Sequence, residues 1–295
     1  MNTFPRINQH ASTQVPYDVV EEIFLRCLTP LEWCGDPKDP NQHPPSTNVP
    51  ILLSHVSKTW REIVHGMPAL WTSVCMHNPT SRPEILQQIL HYSKNRPLTV
   101  CIVMGGQDID YSSDNGCIDL CTKELFCHSD RIRSFRMLTG YWARLWGKSV
   151  LVPPFPRLEE IKLGISLRTL YPERLAPLLN SPRLQKVTWL CEQLPEPLLQ
   201  IGTQIKRLTF PDLACYSAQD TTALLQACPN LTYLDVRHKG PLRLPPDSSV
   251  DLRDLHTFRS GEIGLHLCIA PNLRHLTLTI NVQNYGMIRL PQFLS

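Results

Sequence analysis

The sequence predicts an α/β chain: a short all-helical module near the N-terminus, followed by a right-handed α/β solenoid with a curved, parallel sheet. Three observations carry this reading. Two helical apolar patterns fall within residues 15–72. A Leu-x-x-Leu-x-Leu unit recurs from Ile132 onward, and the segments between copies have the length of a helix or a loop.

Residues 1–14 are polar, lack the apolar stretch of a secretory leader, and read as a disordered tail. Over residues 15–28, Val19, Val20, Ile23, Phe24, Cys27 and Leu28 form one helical stripe. Pro16 suits a helix entry, and Asp18, Glu21 and Glu22 complement the positive end of the helix dipole. Pro30 stops the pattern. The insert over residues 30–50 holds Pro37, Pro40, Pro44 and Pro45 among Asn, Asp and Ser, which excludes helix and central strand and predicts a surface loop. A second helix is expected over residues 51–65, with Leu52, Leu53, Val56, Trp60, Ile63 and Val64 on one side and Gly66 just past its end. Residues 69–76 read as a strand.

The solenoid is expected over residues 73–295. Ile85, Leu86, Ile89 and Leu90 sit at helical spacing behind Pro83 and Glu84, and residues 97–103 form a further strand. The repeating unit then appears at Ile132, Leu158, Leu184, Ile205, Leu231 and Leu273, with a weaker copy starting at Leu252 or Leu255. Anchored on Leu252, the spacings are 26, 26, 21, 26, 21 and 21 residues. All fall within the ~20–29-residue period of leucine-rich repeats. Ser217 and Asp220 have the spacing of a capping box ahead of Leu224, Leu225 and Cys228. One such unit cannot bury its apolar edge alone, so neighbours must stack. Residues 279–295 either cap the last copy or leave its edge exposed.

The segment from Val15 to Trp71 resembles an F-box, in the form common to fungal F-box proteins with leucine-rich repeats. The matching positions are Val15-Pro16, Val19-Val20-x-x-Ile23-Phe24 and Cys27-Leu28. They continue after the insert with Leu52-Leu53-Ser54-x-Val56-Ser57-Lys58-Thr59-Trp60-Arg61-x-Ile63-Val64 and Pro68-x-Leu70-Trp71. The insert is longer than in a compact F-box. The resemblance implies a module that docks onto a Skp-type adaptor and, through it, a cullin scaffold with its ubiquitin-conjugating partners. On the matching positions it implies Val15, Pro16, Val19, Ile23, Leu28, Leu53, Val56 and Trp60 as the docking surface and its support. Two functions follow from it: the substrate-recognition subunit of a Skp–cullin–F-box ubiquitin ligase, or a scaffold that binds adaptor and partner without directing ubiquitination. In either case the chain is no enzyme itself, and it works in the cytoplasm, the nucleus or both.

In a Leu-x-x-Leu-x-Leu strand the leucines face the core and the residues between them face the open side of the sheet. That assigns Arg136, Lys162, Lys186, Arg207, Tyr233, Asp235, Arg237 and His275 to a surface for a protein substrate. Arg and Tyr are residue types that carry binding energy, and the basic tilt suits acidic or phosphorylated groups.

Composition narrows the alternatives. The net charge of +3 and pI of about 8.3 fall short of a nucleic-acid footprint, and no run approaches the ~20 apolar residues that span a bilayer. An odd count of 11 cysteines without a leader fits reduced thiols that pack as small hydrophobes. Neither metal nor cofactor is expected: Cys117, Cys121, Cys127 and His128 do not follow a zinc-ligand spacing. Gly147-Lys148-Ser149 lacks the earlier glycine of a phosphate loop, Trp142 standing in its place. No catalytic set emerges from the dispersed histidines.

Overall fold

The computed structural model describes residues 16–28, 49–77, 83–104, 115–139, 152–165, 172–191, 196–210, 218–236, 249–261 and 268–279. The tail 1–14, Val15, most of the insert, Ser217, Arg237 and residues 280–295 lie outside them. The chain divides into two compact units, Met1–Leu125 and Phe126–Ser295. Among the described residues no helix is long and apolar enough to cross a membrane.

The first unit contains α1 (Tyr17–Arg26), α2 (Val49–Val56), α3 (Lys58–Gly66), β1 (Ser73–His77), α4 (Pro83–Tyr92) and β2 (Leu98–Met104); α5 (Asn115–Phe126) ends at the division. The single helix expected over residues 51–65 is two. Ser57 takes an extended backbone and its hydroxyl accepts from the Trp60 amide at 3.1 Å, which starts α3 as a separate helix. Arg61 Nε donates to the Ser54 carbonyl at 3.0 Å and spans the break. The strand expected over residues 69–76 begins only at Ser73, because Pro68–Trp71 wind into a 3-10 turn. Trp71 is buried there, its Nε1 donating to the Val64 carbonyl at 2.9 Å. Around it Phe24, Val64, Met67 and Leu70 close the helical core. The pair β1 and β2 is parallel, with Ser73 opposite Thr99.

The second unit contains β3 (Ile132–Thr139), β4 (Glu160–Ile165), α6 (Pro172–Leu179), β5 (Lys186–Trp189), α7 (Glu196–Gln200), β6 (Arg207–Phe210), α8 (Ala218–Ala227) and β7 (Tyr233–Val236). It continues with β8 (Val250–Asp251), β9 (Thr257–Gly261), β10 (Cys268–Ile269) and β11 (His275–Thr279). Its main sheet is all parallel in the order β3-β4-β5-β6-β7-β9-β11, and β8 pairs with β10 in a short parallel ladder of its own. This is the α/β protein with a long parallel sheet of consecutive strands that the sequence predicts.

The apolar triplets make the core. Phe135 and Met137, Ile161 and Leu163, Val187 and Trp189, and Leu208 and Phe210 are all buried on the same side of successive strands. Ahead of several strands the chain makes a tight turn: Leu158 N–H bonds the Phe155 carbonyl, Leu184 the Ser181 carbonyl, Ile205 that of Gly202 and Leu273 that of Ala270. Leu255 N–H bonds the Leu252 carbonyl in the same way. Leu252 is therefore the turn residue and Leu255 the anchor of that copy, and the register agrees, with Thr257 opposite Tyr233 and His275 opposite Thr257. The spacing of 21 residues around this copy is thus corrected to 24 before it and 18 after it. Among the described residues of these two steps stand the two-residue strands β8 and β10.

Candidate functional site

The helical module buries only half of its apolar stripe. Phe24 of α1 is in the core and meets the Trp60 ring at 4.8 Å, while Val19 and Ile23, one turn apart, face solvent. On α2, Pro50 and Ser54 point inward, and Leu52 and Val56, again one turn apart, are 60% and 61% exposed. Each helix thus presents an aliphatic pair to solvent that its own packing does not need. Of the residues assigned to docking, Pro16, Val19, Ile23 and Val56 are exposed. Leu28, Leu53 and Trp60 are half-buried, and Trp60 braces α1 against α3 through Phe24. Val15 lies outside the described residues. Leu52 belongs with Val56 by position; the four-residue spacing between them was the signal for it.

On the sheet, the residues between the core positions line up in two rows. Glu160, Lys186, Arg207, Tyr233, Thr257 and His275 oppose one another in turn, as do Arg136, Lys162 and Thr188, and Thr209, Asp235, Arg259 and Thr277. The assigned residues that are described therefore share one face, but they differ in access. Arg136 is buried and ion-paired to Glu160 at 3.1 Å, and Asp235 is 3% exposed. These two are held by the sheet itself. Lys162 and Tyr233 are half-buried, and Lys186, Arg207 and His275 are exposed. Arg237 lies outside the described residues.

At the middle of this face Tyr233 is flanked by two guanidinium groups. Arg207 Cζ lies 4.5 Å and Arg259 Cζ 5.8 Å from the ring centroid, within the range of cation–π attraction. The Tyr233 hydroxyl donates to Asp235 Oδ2 at 3.4 Å. Arg259 is the residue that sequence reasoning passes over. Counting the weak copy from Leu252 hides it, whereas counting from Leu255, with Phe258 as the next core position, brings Thr257 and Arg259 onto the face.

Among the described residues no group of three or more His, Cys, Asp or Glu side chains is placed to hold a metal ion. Cys121 is buried and Cys127 is exposed. Burial pushes the Cys228 thiol up to about 12 and the Cys268 thiol up to about 11, so both stay protonated near neutral pH and neither is a ready nucleophile. What the two faces offer is recognition: aliphatic side chains on α1 and α2, and planar cations around an aromatic ring on the sheet. No protein-family model matches the chain, and no curated protein sequence matches it.

Proposed function

We propose that this chain is the substrate-recognition subunit of a Skp–cullin–F-box ubiquitin ligase. In this reading the α1–α3 module docks onto the Skp-type adaptor. The parallel sheet is a leucine-rich-repeat solenoid, and its open face binds the target protein. The chain supplies proximity, raising the local concentration of target at a transfer centre held by other subunits. It acts in the cytoplasm, the nucleus or both, without nucleic-acid or membrane partners and without a cofactor.

The observation that supports it most is the pair of exposed aliphatic turns, Val19 with Ile23 and Leu52 with Val56, on helices whose sequence resembles an F-box. Apolar side chains left at the surface in this way mark a place where a partner excludes water. Co-expression with a Skp-type adaptor tests it. The wild-type chain should co-purify, and Ile23→Asp with Val56→Asp should weaken association by about 30-fold or more, the effect of losing one binding hot spot. Both side chains are exposed, so the variant should keep its circular dichroism. Absence of association by the wild-type chain would overturn the docking role. Association without any change in target abundance on loss of the protein would instead favour the non-proteolytic scaffold.

A further inference from the structure

We propose that the sheet face around Tyr233 recognises a carboxylate-rich segment of a partner protein, with Arg207 and Arg259 as the residues that read it. The inference deepens the target-binding role proposed for this sheet and rests on that reading. Both arginines are exposed and both stand beside the Tyr233 ring, which occupies the strand between them. A guanidinium held against a ring uses its flat face, and its in-plane N–H groups remain available as a fork for a carboxylate. Among the described residues neither arginine has an ion-pair partner, and neither has Lys186.

The register adds an independent argument. Lys186 and Arg207 lie directly opposite each other on β5 and β6, an arrangement of like charges that disfavours the sheet. Glu160, opposite Lys186 on its other side, is engaged by Arg136. The acid opposite Arg259 is Asp235, which is buried and accepts from the Tyr233 hydroxyl, so it braces the ring and presents little charge outward. An arriving carboxylate relieves a crowding of cations that no ion pair among the described residues compensates. Arg207 and Arg259 are two strands apart, roughly 10 Å. Acidic residues two to three positions apart in an extended segment lie about 7–11 Å apart at about 3.3–3.6 Å per residue, and side-chain reach makes up the remainder. A net charge of only +3 makes a nucleic-acid backbone the poorer fit.

The test is fluorescence anisotropy of the full chain with three labelled decapeptides, carrying Glu, Gln or phosphoserine at every second position. The Glu peptide should bind at least about tenfold more tightly than the Gln peptide and weaken as salt rises from about 0.05 to about 0.5 M. Arg207→Glu with Arg259→Glu should abolish binding with circular dichroism unchanged. Arg207→Lys with Arg259→Lys keeps the charge and loses the fork, and should weaken binding by about tenfold. Equal affinity for the Glu and Gln peptides, binding of the phosphoserine peptide alone, or no binding of any peptide would overturn the proposal. Full affinity in either arginine variant would overturn the assignment to these residues. The assay contains no adaptor, so its outcome is independent of whether the helical module docks.

Discussion

Gly202 opens the 3-10 turn (Gly202–Gln204) ahead of β6 and is buried; a Cβ there would run into the backbone carbonyl of Ala227, the last residue of α8. A backbone cannot yield as a side-chain end can, so Gly202→Ala should destabilise the second unit by about 1–3 kcal/mol, the usual cost of overpacking. Gly164→Ala is the comparison: its nearest neighbour is the Leu138 Cδ2 methyl at 2.8 Å, the end of a flexible side chain. Urea titration of both variants checks the difference, and equal midpoints would contradict the steric account. Nothing in the sequence around Gly202 reveals this requirement, because the residue that makes it lies in the following step. Leu252 and Leu255 show the same limit. Both are leucines, both are fully buried, and they are three apart as a repeat motif demands. Only the hydrogen bond from the Leu255 amide to the Leu252 carbonyl tells turn from anchor. Arg259 was hidden by that ambiguity, while Lys186, Arg207 and Tyr233 were legible because their copies carry one possible anchor each.

At the scale of elements, periodicity located α1 and the region of α2 and α3, but not which half of each stripe is buried. The stripe over Val19, Val20, Ile23, Phe24, Cys27 and Leu28 is wider than one buried face, and the structure turns Phe24 inward and Val19 and Ile23 outward. The break at Ser57 was equally hidden, since a serine inside an apolar pattern reads as a tolerated polar residue until its extended backbone and cap bond are seen. Helix α3 also carries a titrating group. His65 stacks on Tyr92 of α4 with ring centroids 4.2 Å apart, and its pKa is lowered from 6.5, first by burial and then by the Arg61 charge. The folded state thus holds this proton less tightly than the unfolded chain. Its contribution to stability is complete above pH 6.5 and is lost as the pH falls below that value through the lowered folded pKa. His65→Phe keeps a ring against Tyr92 and removes the proton. The thermal midpoint should therefore fall less in this variant than in the wild type between about pH 7.5 and about pH 5.5, because one titrating group has gone. Parallel pH dependence of the two proteins would remove His65 from the account.

Across the molecule, the second unit is a series of steps in which each strand rests on its neighbours. The amide ahead of each strand bonds back one step, from Glu159 to Arg133, Gln185 to Glu159, Lys206 to Gln185, Thr232 to Lys206, His256 to Thr232 and Arg274 to His256. Two asparagine side chains reinforce this link, Asn230 to the Thr203 carbonyl at 2.6 Å and Asn272 to the Arg253 carbonyl at 2.9 Å. The parallel order was legible because each step repeats one pattern, whereas the uneven steps of 24 and 18 residues into β9 and β11 were not, since Leu252 and Leu255 both fit the motif. Stability in such an array is a sum of steps and interfaces, so a strand with two packed neighbours opens less often than one with a single neighbour. β6 lies between β5 and β7 with Leu208 fully buried, whereas β11 pairs only with β9 among the described strands and leaves Leu276 46% exposed. Hydrogen exchange read by mass spectrometry should therefore find the amides of β5–β7 slowest and those of β11 fastest. Leu208→Ala should cost about 2–5 kcal/mol and release β5, β6 and β7 together, because the cavity sits under all three. Leu276→Ala removes a side chain already half in water, so it should cost well under about 2 kcal/mol and leave the exchange of β6 untouched. If β11 instead exchanges as slowly as β6, the last step is as firmly held as the middle ones, and the sheet opens as one block.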